Sequence, residues 1–524
     1  MLRPSSSSCS CLNVVPAHSF PTATWPRQPT GLQRAPAVPV AAGIRGRHGP
    51  SGVLKVLVLS SAICVHTRRR CRRRRSCAAR ASALPKVDVC VVGAGVAGLA
   101  CAKHLAEAGA RVEVVEASDG VGGRVRSDTL EGFILDRGFH IFLDSYEESR
   151  RQLDFAGLDL RPFYPGADVR VQGTWHRVAD PFREPWDAIC SLSPSHAIGS
   201  PLDKLRIGLL RVQATLRASA DRTGVDDQTV LSLLREAGLS SEIIDRFFRP
   251  FVGGIFFDPE LQTSARAFDF VFASVAKGDN CLPSRGIGAV SDQLQRAARE
   301  SGCSISLGHR AARLLPGPEL EVVSGAGEAL RSPRAVVVAT DAEAAGGLLG
   351  PGSVELPSGP PVATACLYFS LPEADLPTRE PVLLLNGELP AGVYGTTVLA
   401  SATFLSNVAS SYAPPGRALL SCTLLGVPAE PDDEAVTAAV RQQLQDWFGA
   451  KASAWELLRV YRIPFAQVSG RPPAVQRPVR VAGRPGVYLC GEHREAGVSL
   501  DGALRSGRRC AEALLEDLAA DRGP

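Results

Sequence analysis

Val87-Asp-Val-Cys-Val-Val-Gly-Ala-Gly-Val-Ala-Gly-Leu-Ala100 is the stretch on which the fold turns. Its apolar run to Val92 predicts a buried parallel strand. Gly93, Gly95 and Gly98 follow as G-x-G-x-x-G, and the pattern predicts a helix from Leu99 to Ala108 closed by Gly109. A second apolar strand, Arg111 to Val115, ends at Glu116. Each part has a mechanical role in holding a dinucleotide. Gly93 permits the tight turn, Gly95 lets a pyrophosphate approach the backbone, and Gly98 lets the helix pack on the strand. Val96 and Ala97 lie between the last two glycines, before a helix N-terminus whose free N–H groups and positive dipole end suit a phosphate. Glu116, with Ala117 beside it, stands at the spacing of a carboxylate that accepts hydrogen bonds from an adenosine ribose. A glycine turn in an unrelated βαβ unit is the plain alternative, but it does not account for the acid ending the next strand.

Ser118-Asp-Gly-Val-Gly-Gly-Arg-Val-Arg-Ser127 follows directly. Gly122 and Gly123 offer a second close backbone approach, and Arg124 brings a cation to the phosphates. This segment resembles the G-G-R signature of the flavin amine oxidase and phytoene-desaturase-like superfamily, which implies FAD rather than NAD. Phe133-Ile-Leu-Asp-Arg-Gly-Phe-His-Ile-Phe142 is similar to that superfamily's D-x-G-x-H strand beside the flavin, carried here by Asp136, Gly138 and His140. Gly486-Val-Tyr-Leu-Cys-Gly-Glu492 resembles its C-terminal strand ending in Gly-acid, and Ser499, Gly502, Ala503, Ser506 and Gly507 open a helix to Leu515. The resemblance implies that Gly491 and Glu492 meet the pyrophosphate–ribityl region. The following helix N-terminus would face the flavin pyrimidine edge, where its dipole favours negative charge. Glu492 is one methylene longer than the Asp usual there. Pro283 to Val290 and Arg334 to Asp341 match further motifs more loosely, with Ile287 for Met and Asp341 for Gly.

The expected fold class is α/β: a Rossmann-like FAD-binding domain with an interleaved α+β substrate domain. FAD-binding parts are expected at 84–144, 277–347 and 476–524, and substrate parts at 145–276 and 348–475. Leu320 to Val323 and Ala335 to Val338 read as a β-hairpin around Gly325-Ala-Gly327. That glycine pair is a turn, so no separate NAD(P)H domain is expected. Electrons would leave to oxygen or a quinone.

Residues 1–83 read differently. Met1 to Pro85 holds no Asp or Glu but fourteen Lys and Arg, in a Ser-, Pro- and Ala-rich background. That is the composition of an organelle transit peptide, expected to be disordered. A plastid is expected ahead of a mitochondrion, with the protein in the stroma or at a thylakoid or envelope surface. A basic arm binding nucleic acid or anionic lipid is the alternative. Without the segment, 44 basic residues face 53 acidic ones, a net −9. Nucleic-acid binding therefore has no electrostatic support. Val53 to Val65 is too short to span a bilayer, since that takes roughly twenty residues, and no transmembrane helix is expected. The nine cysteines beyond residue 85 include no C-x-x-C pair, so no metal site is expected from their spacing.

The middle of the chain bears on substrate. Helices are predicted over Leu202–Leu216, Asp227–Ala237 and Ser241–Phe257, the last with a turn at Pro250 and Gly253-Gly254. This very apolar run reads first as core, and second as a tunnel wall or a face that dips into a membrane. The aromatic that amine oxidases of the superfamily carry before the C-terminal Gly-Ala is replaced here by Ser499. Lys204 and Lys277 are active-site candidates only by elimination. Val498 to Ala511 resembles the plastid phytoene desaturases, which implies an apolar isoprenoid substrate. Removing hydride from such a molecule needs dry walls and few acids or bases. His140 is the one weak catalytic candidate, and a lone His is more often structural. An amine or porphyrinogen oxidase, and a flavin-free lipid carrier like the Rab GDP-dissociation inhibitors, are the other readings.

Overall fold

The computed structural model describes residues 87–193, 197–219, 226–350, 352–355 and 357–520. The expected targeting segment lies outside them. All described residues fall in one unit, Arg69–Pro524.

The strand Val89–Val92 is fully buried, as its unbroken Val/Cys run requires of a parallel strand covered on both faces. It is the centre of a five-stranded parallel sheet ordered Ser304–Ser306, Val112–Val115, Val89–Val92, Ala335–Val338, Val487–Leu489. Strands far apart in sequence thus meet in one layer. The helices Val96–Glu107, Gly288–Glu300 and Leu500–Ala520 pack on one face, around Leu99, Leu105, Leu294 and Leu504. The other face is covered by the helix Ala342–Leu349 and a small antiparallel sheet, Arg310–Leu314, Leu320–Ser324 and Gly327–Arg331. A Cβ on Gly98 would collide with the Gly93 carbonyl oxygen, so the first helix reaches the strand this closely only with glycine there.

A seven-stranded sheet runs Glu456–Gln467, Val362–Pro372, Arg417–Leu425, Leu399–Phe404, Leu383–Asn386, Gly166–Val171, Thr174–Ala179. Its pairings are antiparallel except Leu383–Asn386 with Gly166–Val171. The helix Asp433–Phe448 covers part of one face through Val436, Val440 and Leu444.

Three expectations need correction. Ala335–Val338 does not belong to a hairpin. Leu320–Ser324 pairs instead with Gly327–Arg331, and Ala335–Val338, apolar at every position, is drawn into the central sheet. No turn forms at Pro250 or Gly253-Gly254. A π-turn over Ile244–Phe248 leads into a helix, Arg249–Phe256, with Pro250 in its first turn, where a missing N–H costs little. The segment after residue 145 also contains strands not anticipated, Gly166–Val171 and Thr174–Ala179, joined at Gln172 and Gly173, both with positive φ.

Candidate functional site

The two glycine segments converge. Gly122 N donates to Ala94 O at 2.8 Å, and Gly95 and Gly122 form a parallel bridge. Glu116 orders this junction: its carboxylate accepts from Ala94 N and Ser118 N, each at 2.8 Å. Beyond it, His309 N donates to the Glu116 carbonyl. The C-terminal strand Val487–Leu489 delivers Gly491 and Glu492 to the same place. Arg124 forms an ion pair with Glu492, donates to Ala466 O at 2.9 Å, and stacks on Phe465 at 5.1 Å. The cation expected to reach phosphate is thus held by the acid expected to reach ribityl, and the pair ties the two ends of the chain's motifs together. Val468 N also donates to Glu492 at 3.2 Å.

These residues line one cavity of about 880 Å3, within the range of ligand sites. Of the residues expected at the cofactor, Gly93, Gly95, Val96, Ala97, Glu116, Ala117, Gly122, Gly123, Arg124, Gly491, Glu492, Ser499 and Ala503 line it. Gly98, Gly138 and Gly502 do not; they sit behind it at close packing contacts. Ser499 accepts from Gly502 N at 3.0 Å and so caps the last helix, whose N-terminus opens on the cavity.

His140 also lines the cavity, with Nδ1 donating to Gly138 O at 2.8 Å. Burial lowers its pKa, partly offset by the nearby Asp136 carboxylate. Asp136 itself is not on the wall, contrary to the strand's reading as flavin-facing. It is buried as a hub that accepts from Ser127 Oγ (2.5 Å), Ile287 N (2.9 Å) and Tyr412 Oη (2.9 Å). Lys204 and Lys277 are absent from the lining. Lys204 meets Ser191 O, and Lys277 is exposed at a helix end.

His493 is the residue sequence reasoning passed over. It is 2% exposed, lines the cavity, and its Nε2 has no hydrogen-bond partner. Its ring packs under Gly491, where a Cβ would come within 2.7 Å of it. Burial first, then Arg494, Arg124 and Arg477, hold its pKa down to about 3. Its position beside the Gly-acid pair was the available signal. A second group was invisible in the spacing: the sulfurs of Cys101, Cys490 and Cys510 lie within 4.8 Å of one another, fully buried. Three thiols leave a tetrahedral zinc one ligand short, and they sit in the apolar core rather than on the cavity.

A profile of the family described as flavin containing amine oxidoreductase matches residues 96–515. The chain belongs to this family. It is accordingly an FAD-dependent oxidoreductase. The residues fit that cofactor: a Cβ on Gly95 would meet no protein atom within 4 Å and so leaves room beside the helix N-terminus, while His493 offers a buried polar atom without a protein partner. The flavoprotein is 22% identical over 478 residues to the 15-cis-phytoene desaturase of Synechococcus elongatus, covering 82% of this chain and 95% of that protein. It is 31% identical over 166 residues to protoporphyrinogen oxidase 2 of Arabidopsis thaliana, about a third of each chain. Among solved structures it resembles a putrescine oxidase, with TM-score 0.59 and 17% identity over 82% of this chain and all of that one. It also resembles the cyclohexylamine oxidase of Brevibacterium oxydans, with TM-score 0.58 and 21% identity over 83% of this chain and all of that one.

Proposed function

We propose that this FAD-dependent oxidoreductase acts on an apolar, isoprenoid- or carotenoid-like substrate. One observation carries the reading. Away from the glycine motifs, the cavity wall is mainly apolar, with Phe139, Ile141, Leu143, Phe251, Ile255 and Phe257 beside the uncharged Tyr146, Asn280, Thr423 and Gln467; among the described residues no lysine lines the cavity, and its carboxylates Glu116, Asp341 and Glu492 stand with the glycine motifs. A cationic amine brought there would lose its water without gaining a counter-charge. An apolar chain loses nothing and gains from burial. A porphyrinogen is the second reading, supported by the stretch similar to protoporphyrinogen oxidase 2. The lipid-carrier alternative falls away with membership of an oxidoreductase family.

FAD would be held by Gly93, Gly95, Val96 and Ala97 at the first helix N-terminus, by Gly122 and Gly123, and by Gly491 and Glu492, with Glu116 at the adenosine ribose. Bound there, FAD supplies a two-electron acceptor for hydride taken from carbon, to be reoxidised by oxygen or a quinone. The chain's own part is to exclude water with the apolar wall, which keeps a reactive centre dry. His140 lines the cavity with Nδ1–H donated to Gly138 O; burial lowers its pKa and favours the neutral ring, whose Nε2 is then the atom that can accept a proton. We place the protein in a plastid, with residues 1–83 as the targeting segment and the mature chain in the stroma or at a membrane surface.

The test begins with an absorption spectrum of the purified chain and quantitation of released flavin. Near-stoichiometric FAD is expected. Anaerobic mixing with polyenes, porphyrinogens and amines should then bleach the oxidised-flavin band with polyenes alone. Bleaching by amines and not by polyenes would overturn the substrate reading.

A further inference from the structure

Large apolar side chains that stand exposed are concentrated in one place. Eleven occur among the described residues, and nine of them lie between Phe182 and Leu216. On the helix Pro201–Ser219 they are Leu202, Leu205, Leu209, Val212 and Leu216, spaced by three or four residues and so forming one stripe. On the short helix Pro185–Cys190 they are Trp186, 78% exposed, and Ile189, one turn on. Side-chain contacts link the two segments. Arg211, on the long helix, lies 4.4 Å over the Phe182 ring and pairs with Asp180, and Lys204 reaches Ser191 O beyond the short helix.

None of the described residues classed as exposed between 181 and 218 carries a charge. That is unlike an ordinary protein–protein surface, which is only about as apolar as the rest of the exterior. It is the pattern of a helix lying in a membrane interface: an apolar stripe with Trp and Phe among it, and basic side chains along its borders. The basic side chains beside the stripe are Arg183, Lys204, Arg206, Arg211 and Arg217, each bonded to the protein, to Asp279, Ser191 O, Gly238 O, Asp180 and Asp269 in turn. Segment 181–218 holds these five cations against three acids, while the chain beyond residue 85 is net −9. Asp180, Asp269 and Asp279 hold three of the five, so the face would meet lipid through its uncharged apolar stripe. No described helix is long and apolar enough to cross a membrane.

We infer that the face formed by residues 182–216 docks the protein on the surface of a lipid bilayer, with the helix Pro201–Ser219 lying in the interface plane. The helix Ala265–Lys277 packs directly beneath it, tied by Arg217 to Asp269 at 2.7 Å, and its Val271 and Val275 line the cavity. One helix therefore separates the docking face from the cavity. A membrane-dissolved substrate would be delivered beside its site, a consequence that, unlike the face itself, rests on the apolar-substrate reading.

The experiment is vesicle flotation of the full chain, comparing the wild type with Leu205→Ser/Leu209→Ser/Leu216→Ser. Vesicles of phosphatidylcholine alone and of phosphatidylcholine with phosphatidylglycerol are both used, so that any pull from the basic N-terminal segment is common to both proteins. Wild type should float with both. The triple variant should lose about tenfold or more of its partitioning, with flavin content and thermal midpoint unchanged because the altered side chains are already exposed. Brominated phosphatidylcholine should quench tryptophan fluorescence, and Trp186→Phe should remove most of that quenching. Equal flotation of wild type and variant, no flotation of wild type, or quenching that survives Trp186→Phe would each overturn the inference. So would a wild-type dimer that the triple variant dissolves, since a second copy would then cover the face. Flavin content reports separately on the cofactor reading.

Discussion

Glu116 has structural work that its spacing did not suggest. The spacing put a carboxylate at the end of the second strand, and it lines the cavity. In the fold it also fastens the Ala94 and Ser118 amides, so the same charge shapes the glycine turn. Glu116→Ala should weaken FAD binding by about 10- to 100-fold, the loss of one to two charge-assisted hydrogen bonds, with Glu116→Gln in between. Fluorescence titration of flavin-free protein measures this, and wild-type affinity in the alanine variant would sink the assignment. His493 gives a pH signature. The folded chain keeps it neutral down to about 3, whereas the unfolded chain protonates it near 6.5. Between those values the unfolded state binds the extra proton, so stability falls as pH drops below 6.5 and is unaffected above it. In flavin-free protein, His493→Gln should lose about 1–2 kcal/mol less than wild type between pH 6.5 and pH 5, since one proton is worth at most ~1.4 kcal/mol per pH unit. Parallel denaturation profiles for the two proteins would show that His493 is not held neutral. Asp136 marks the limit of motif reading. Its motif named the right strand, but which way its side chain faced depended on Tyr412 and Ile287, from elements far along the chain.

Among elements, the first helix was legible because its signals are local: two glycines before it, a third in its first turn, one after it, and an apolar strand on either side. The C-terminal helix was legible too, but not its crossing with the first. The helix Leu500–Ala520 crosses it where a Cβ on Gly507 would strike the Ala97 carbonyl oxygen and come within 2.9 Å of the Ala100 methyl. Both helices turn their N-termini to the cavity, so their spacing sets the distance between the two glycine motifs. Gly507→Val should destabilise the fold by about 1–3 kcal/mol through overpacking. It should also reduce retained flavin, read as the FAD-to-protein ratio after gel filtration. A destabilised variant that keeps full flavin would show that the crossing does not position the site. The stretch Ser241–Phe257 was legible as helix but not in its continuity. Proline and paired glycines ordinarily punctuate, and here a π-turn upstream places Pro250 where a helix tolerates it.

For the molecule as a whole, charge divides the sequence more sharply than any motif does. Beyond residue 83 the chain is net −9, so a form lacking residues 1–83 should bind an anion exchanger at pH 7, where the full chain carries +5 and is held less. Equal retention of the two forms would contradict that balance. What the sequence determined by itself were the patterns closed within a few tens of residues: the β-turn-α unit at Val89–Glu107, the acid at Glu116, the G-G-R segment, the Gly491–Glu492 pair and the acid-free N-terminal composition. Each follows from backbone sterics, periodicity or charge, which neighbours in sequence suffice to express. The tertiary structure alone decided what depends on strands and helices meeting across hundreds of residues. It inserted Ala335–Val338 beside Val89–Val92, paired Arg124 with Glu492, buried His493 without a partner, brought three cysteines together, and left the apolar stripe of Pro201–Ser219 facing outward. An amphipathic pattern states that a helix has an apolar face. Whether that face meets a core or the solvent is fixed only when the rest of the chain has packed.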